Sequence, residues 1–310
     1  GVPPAEIETL EHFWTNYPAL RERCFAPRPG DDNYLDFSEA ITDRRALAEL
    51  VNGDESIAGA HAAFLNSLET WWEKHVSDVE ALAPSDGTKG NVYELRRTLL
   101  ESLMTQFAHT TLLTDHQVRG AFARYMDELK ADLKSIAASG WGPELIPDDD
   151  ILQSQFPEVI AEMESRQARL SELAALFSAA EEEDYEDEDD TGVLPTDQVK
   201  ELKAKLKQLK GDMKLARKEG RTEDREACQA NARQVEATLA RHKALEDEQK
   251  QLKADIRATE KKRDGLVNAA REKISPEQAR EVILERLKRT LLSTYESYLR
   301  ADQRECLARL

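Results

Sequence analysis

The sequence predicts an all-α protein: a helical body, a long antiparallel coiled-coil hairpin and a C-terminal helix. Three observations carry that prediction. Val199, Leu202, Leu206, Leu209, Met213 and Ala216 recur at steps of three and four, the a/d seam of a coiled coil. No proline interrupts the chain between Pro195 and Pro276, so a helical pattern can run almost unbroken across that span. Charged residues make up 34% of the chain and mean hydropathy is −0.65, too polar for one large core yet too periodic for disorder. Long helices with solvated outer faces satisfy both constraints.

In chain order, residues 1–150 read as a helical domain. Ile7, Leu10, Phe13, Trp14 and Tyr17 form an amphipathic opening, broken by Pro27 and Pro29. The stretch 34–37 (YLDF) is the one candidate for extended structure and is too short to seed a sheet. Ser38 is a suitable N-cap for a helix through about Val51, stopped at Asn52-Gly53. Ser56 opens the next, with Ile57, Ala60, Phe64, Leu68, Trp71, Trp72 and His75 at helical steps. Adjacent Trp71 and Trp72 cannot both face one core, which puts one of them at a rim. After the glycine-bearing loop 84–90, Leu95, Leu99, Leu103 and Phe107 mark one helix. A second, capped by Thr114 or Asp115, runs through Val118, Phe122, Tyr125, Leu129, Leu133 and Ile136 to the break at Gly140.

A connecting helix occupies 151–180, with Pro157 near its start. Nine acids in the ten residues 181–190 repel one another, so 181–196 reads as an acidic flexible linker. The coiled-coil hairpin fills 197–273. Thr196 caps its first arm, Gly220 ends that arm, and Thr222 caps the second. The second arm's seam is thinner: Val235, Leu239, Leu245, Leu252, Ile256 and Leu266, with His242, Gln249, Thr259 and Arg263 on polar rungs. At about 1.5 Å per residue it reaches roughly 75–80 Å; the first arm covers about half of it, and helix 158–180 has the size and seam to cover part of the rest. Ser275-Pro276-Glu277 then starts a C-terminal helix, 274–310, with nothing to cap it at Leu310, as if cut short. Its apolar row of Val282, Leu287, Leu291, Tyr295 and Leu299 is the candidate protein interface.

Charge is unevenly spread. Net −18 divides into −14 over 1–150, −11 over 151–190 and +7 over 191–310. The basic excess concentrates on the hairpin's first arm, where Lys203, Lys207, Lys210 and Lys214 are the candidate DNA contacts. Lysines on the outside of a coiled coil are also ordinary, and no aromatics interleave with these. The acidic run is a solvated spacer, or else a DNA mimic or a mask over the basic arm.

Catalytic chemistry is absent by pattern. Six histidines and three cysteines offer no HxxxH or CxxC spacing for a metal, and they read as packed or solvent-facing. Gly140-Trp141-Gly142 follows no strand and is no dinucleotide fingerprint. No apolar run approaches the ~18 residues of a membrane helix, no secretion signal opens the chain, and three scattered cysteines fit a reduced cytoplasmic setting.

Several stretches taken together resemble one family. HFWTNYPALRERCF (12–25) and LLESLMTQFAHTTLLTDHQVRGAFARYMDELKADLKSI (99–136), with Gly140-Trp141, are similar to the region that follows the methylase domain in modification subunits of type I restriction–modification systems. The run 274–310 resembles the end of those subunits, where such a helix leads into a segment of the form E-N-L-W-D-K-Y. The resemblance covers most of the chain through diffuse helical patterns and implies an adenine-N6 DNA methyltransferase. Its partners would be a specificity subunit, a restriction subunit and double-stranded DNA. That chemistry needs a glycine-rich S-adenosylmethionine motif and an Asn-Pro-Pro-aromatic motif, but here no asparagine precedes a proline and no Phe-x-Gly occurs. The implied piece is therefore the non-catalytic C-terminal part, with no cofactor in this segment and S-adenosylmethionine expected for the catalytic domain. A coiled-coil nucleic-acid-binding or scaffold protein unconnected with methylation is the competing reading.

Overall fold

A computed structural model describes residues 11–182 and 191–310. The protein is all-α apart from one small two-stranded sheet, and the chain divides into two units. A body comprises Gly1–Pro147 with Ile274–Leu310, and an insert comprises Asp148–Lys273. The C-terminal helix thus belongs with the first 147 residues, and the insert begins a few residues before the expected boundary at 151.

The body opens with α1 (Glu11–Trp14) and α2 (Pro18–Cys24), followed by β1 (Phe25–Arg28) and β2 (Asp31–Phe37). The two strands pair antiparallel, Phe25 opposite Phe37, with Gly30 at φ +81° in the turn. The expectation of no sheet is corrected here. Local propensity over 34–37 is weak, but Phe25 and Phe37 stack at 5.5 Å and Arg28 bridges Asp36 at 2.8 Å, so cross-strand pairs supply what either strand lacks alone. Phe13, Trp14, Tyr17, Leu20, Cys24 and Phe25 close into a core with Leu47, Val51, Ile57 and Cys306.

Helix α3 (Arg44–Asn52) starts later than predicted, because Asp43 rather than Ser38 caps it by accepting the Ala46 N–H. In α4 (Glu55–Glu80), Asp54 accepts the N–H groups of Ser56 and Ile57, which satisfies donors that the first turn leaves open. Both Trp71 and Trp72 are buried, against expectation. They point about 100° apart, but α4 is flanked on two sides, by α5 (Val92–Gln106) and by α12 (Pro276–Arg309), so its buried arc is wide enough for both. The next predicted helix is two: α6 (Asp115–Glu128), opened by a Thr114/Gln117 capping box, and α7 (Lys130–Ser139). Leu129 between them leaves helical geometry (φ −96°, ψ 6°) while staying fully buried.

Helix α12 is the body's spine. Ser275 and Gln278 form its capping box, with Pro276 in the first turn. Ala279, Ile283, Leu287, Leu291, Tyr295 and Leu299 are buried along one stripe that packs against α4 and α6. Tyr295 donates its hydroxyl to the Val118 carbonyl at 2.7 Å, and Arg286–Asp132 (2.6 Å) and Lys288–Glu69 (2.9 Å) flank the stripe. Arg44 donates to the carbonyls of Leu307 and Ala308, a cation at the negative end of the helix.

The insert is organised on α11 (Thr222–Lys273), 52 residues or about 78 Å long. Helix α10 (Thr196–Lys218) runs back along its first half, with Ala216 of one and Ala232 and Val235 of the other buried in the seam. Gly220 at φ +70° makes the turn, a conformation that glycine adopts without strain. The remaining half is covered by α8 (Asp148–Gln155) and α9 (Pro157–Ala179), two helices where one was expected from 151. Arg169 bridges Glu248 at 2.7 Å, Arg271 bridges Asp148 at 2.7 Å and Arg263 pairs with Asp149.

Helices α9 and α10 meet at the middle of α11. His242 is buried there: its Nδ1 accepts the Leu194 N–H at 3.0 Å, and its ring lies edge-on to Phe177 at 5.6 Å. An accepting Nδ1 leaves Nε2 as the ring's donor. Thr196 does not cap α10. It is the first helical residue, and Glu181 accepts both its N–H (2.9 Å) and its hydroxyl (2.6 Å). Those two bonds hold the Glu181 carboxyl below the usual glutamate range. Residues 183–190 of the predicted linker lie outside the described residues.

Candidate partner and nucleic-acid surfaces

The row proposed as a protein interface is core. Leu287, Leu291 and Tyr295 are fully buried and Leu299 nearly so, all within the body itself, and Val282 is half-buried at the edge of the stripe. A helix with one apolar stripe gives the same sequence signal whether its partner is another chain or its own domain, and here α4 and α6 occupy the stripe. No partner reaches these side chains without opening the body.

The lysine set lies on the surface. Lys203, Lys207, Lys210 and Lys214 are all exposed on α10, at steps of four, three and four, so they share one flank beside the seam. Lys210 bridges Glu236 of α11 at 2.7 Å, whereas Lys203, Lys207 and Lys214 carry no ion pair among the described residues. Over Thr196–Lys218 eight basic side chains face three acids, while over Thr222–Lys273 twelve face eleven. Of the two arms of the hairpin, α10 therefore carries the basic excess.

One constellation escaped the sequence. The Ser102 hydroxyl lies 2.6 Å from His75 Nε2, His75 Nδ1 lies 2.8 Å from Asp78, and the Trp71 indole donates to Ser102 Oγ at 3.0 Å. The order Ser–His–Asp is that of a hydrolytic triad. His75 and Asp78 are an i,i+3 pair, but Ser102 joins them only through the packing of α5 on α4, so no local motif exists to be read. Ser102 stands on the third turn of α5, where backbone N–H groups are engaged with the preceding turn, so its own amide is not available to hold an oxyanion. The chain of bonds pins α4 to α5 and satisfies the Trp71 N–H.

Two of the three cysteines are shielded from solvent. Cys24 and Cys306 are buried, and burial pushes their thiols up, to about 11 and about 12 respectively, so both are protonated at neutral pH. His61 is moved down, first by burial and then by Arg300; with Asp54, Glu296 and Arg304 it lines a recess of about 600 Å³ that carries both charge signs. Among the described residues no three His, Cys, Asp or Glu side chains converge to hold a metal ion, and no helix is long and apolar enough to cross a membrane.

Comparison with known proteins returned no matching family model, no similar curated protein and no similar solved structure.

Proposed function

We infer that this chain is the non-catalytic helical C-terminal part of a type I DNA adenine-modification subunit, serving to assemble the methylase with its specificity and restriction subunits on DNA. One observation supports the reading beyond the resemblance itself. The two stretches that carry it most fully, 99–136 and 274–310, are well over a hundred residues apart yet share one core, through Tyr295 on Val118, Arg286 on Asp132 and Gln117 on Asp302. The long excursion between them forms a unit of its own, as an insertion into a shared scaffold would. S-adenosylmethionine chemistry belongs to the catalytic domain, and no residue of this segment takes part in it. The test is co-purification with the specificity subunit encoded by the same operon; failure of both that subunit and the restriction subunit to bind the chain overturns the reading.

The exposed flank of α10 favours a second reading, in which the insert contacts DNA directly. With Lys203, Lys207, Lys210 and Lys214 replaced by Glu, the slope of log K against log salt should flatten by about 3 to 4. Binding to duplex DNA with an unaltered slope removes the arm from the interface.

A further inference from the structure

The body carries a second basic surface, built differently from the hairpin arm. Tyr93 is 79% exposed, far more than the other exposed large apolar or aromatic side chains described, Leu215 at 51% and Tyr34 at 37%. It stands beside a recess of about 450 Å³ lined by Lys89, Gly90, Val92, Lys134, Ala137 and Ala138, with no carboxylate in the lining. The recess is preformed. Asp86 and Gly87, both at positive φ, turn the preceding loop back on itself, with Ser85 pairing to Thr88. Gly90 then donates its N–H to the Ala137 carbonyl at 3.3 Å, and a Cβ at that position would lie 1.8 Å from the Leu82 carbonyl oxygen. Only glycine permits so close an approach to Leu82, and the bond to Ala137 ties the loop to α7.

Charge singles out the same place. Many cations of the body are committed to carboxylates, as in Arg23–Asp54, Arg28–Asp36, Arg286–Asp132 and Lys288–Glu69. Lys89 and Lys134 at the recess, Arg97 one turn beyond Tyr93 and Lys130 one turn before Lys134 are all exposed and carry no ion pair among the described residues. The α5 N-terminus adds nothing to this, because Asn91 already accepts the Tyr93 and Glu94 N–H groups.

We propose that this recess binds an unpaired nucleotide of a single-stranded nucleic acid, its base stacked on Tyr93 and its flanking phosphates held by Lys89 and Lys134, with Arg97 and Lys130 extending the track. An exposed aromatic face amid unpaired cations is the combination that binds single strands without reading sequence, since every base offers a π-face. A duplex keeps its bases stacked inside and cannot reach the ring. Val92, Ala137 and Ala138 offer an apolar floor, and the one amide in the lining, Asn91, has its oxygen engaged by the Tyr93 and Glu94 N–H groups, so preference among bases is weak.

The experiment uses the whole chain and a labelled single-stranded 12-mer carrying 2-aminopurine, read by anisotropy and by quenching of the stacked base. The single strand binds tighter than its duplex and weakens with salt. Tyr93→Ala lowers affinity about 5- to 100-fold and abolishes the quenching. Tyr93→Phe retains both, and Lys89→Glu with Lys134→Glu lowers affinity without removing residual quenching. Tyr93 is solvent-facing, so its replacements leave the fold intact. Unchanged binding by Tyr93→Ala overturns the proposal. So does loss of the quenching only when the hairpin lysines are reversed, or equal competition by a polyglutamate peptide, which would make the patch a general anion surface. Association with the specificity subunit is measured separately, so failure here leaves the assembly reading standing.

Discussion

Replacing Leu291 by Ala distinguishes a core helix from a docking helix. The side chain is fully buried on α12 between α4 and α6, so truncation removes its transfer free energy and leaves a void that rigid neighbours fill only in part. Fully buried Leu→Ala changes cost about 2–5 kcal/mol, and a site enclosed by three long helices belongs near the middle, about 3 kcal/mol. For a body of about 180 residues that lowers Tm by roughly 6–12 °C. The assay has a built-in filter. All four tryptophans, Trp14, Trp71, Trp72 and Trp141, lie in the body and none in the insert, so indole emission follows the body's unfolding while far-UV circular dichroism sees both units. Glu281→Ala, exposed on the same helix, is the control and should stay within about 0.5 kcal/mol. A midpoint for Leu291→Ala within 1 kcal/mol of the parent, with specificity-subunit binding lost instead, would refute the burial and restore the docking row.

Two further perturbations follow from the geometry. Gly90→Ala forces a methyl group into the Leu82 carbonyl and should destabilise the body by about 1–3 kcal/mol by the same tryptophan readout. For Asp54, burial pushes the carboxyl up, but hydrogen bonds from Ser56 and Ile57 together with Arg23 outweigh it, and the net displacement is down. A depressed folded pKa gives stability that is present above the ordinary aspartate value and lost as pH falls through the folded one. Asp54→Ala should therefore cost about 1 kcal/mol at pH 7 and progressively less below about pH 4, checked by urea midpoints across that range.

What the sequence conveyed was what periodicity and capping encode. The 199–216 seam, the turn at Gly220 and the start at Ser275 are local patterns, each readable within a few residues, and all three appear in the fold. Apart from local slips such as the cap at Asp43 rather than Ser38, the failures share one cause, dependence on a partner distant in the chain. The β1–β2 hairpin needs Phe25 against Phe37, and both tryptophans of the adjacent pair are buried only because α4 has neighbours on two sides. Glu181 caps α10 from fifteen residues away, which no local cap rule anticipates. The candidate surfaces divided along the same line. An apolar stripe does not name its partner, so the α12 row reads from sequence as a docking surface although α4 and α6 cover it. A lysine flank on a two-helix seam can only face outward, and that part of the reading carried through to the surface.

The most direct measurement is association. If the assembly reading holds, this chain co-expressed with a type I specificity subunit from the same operon should elute with it as one complex of defined stoichiometry. Two separate elution peaks at micromolar concentration, with the body folded by tryptophan emission, would contradict a role in assembling a type I modification complex.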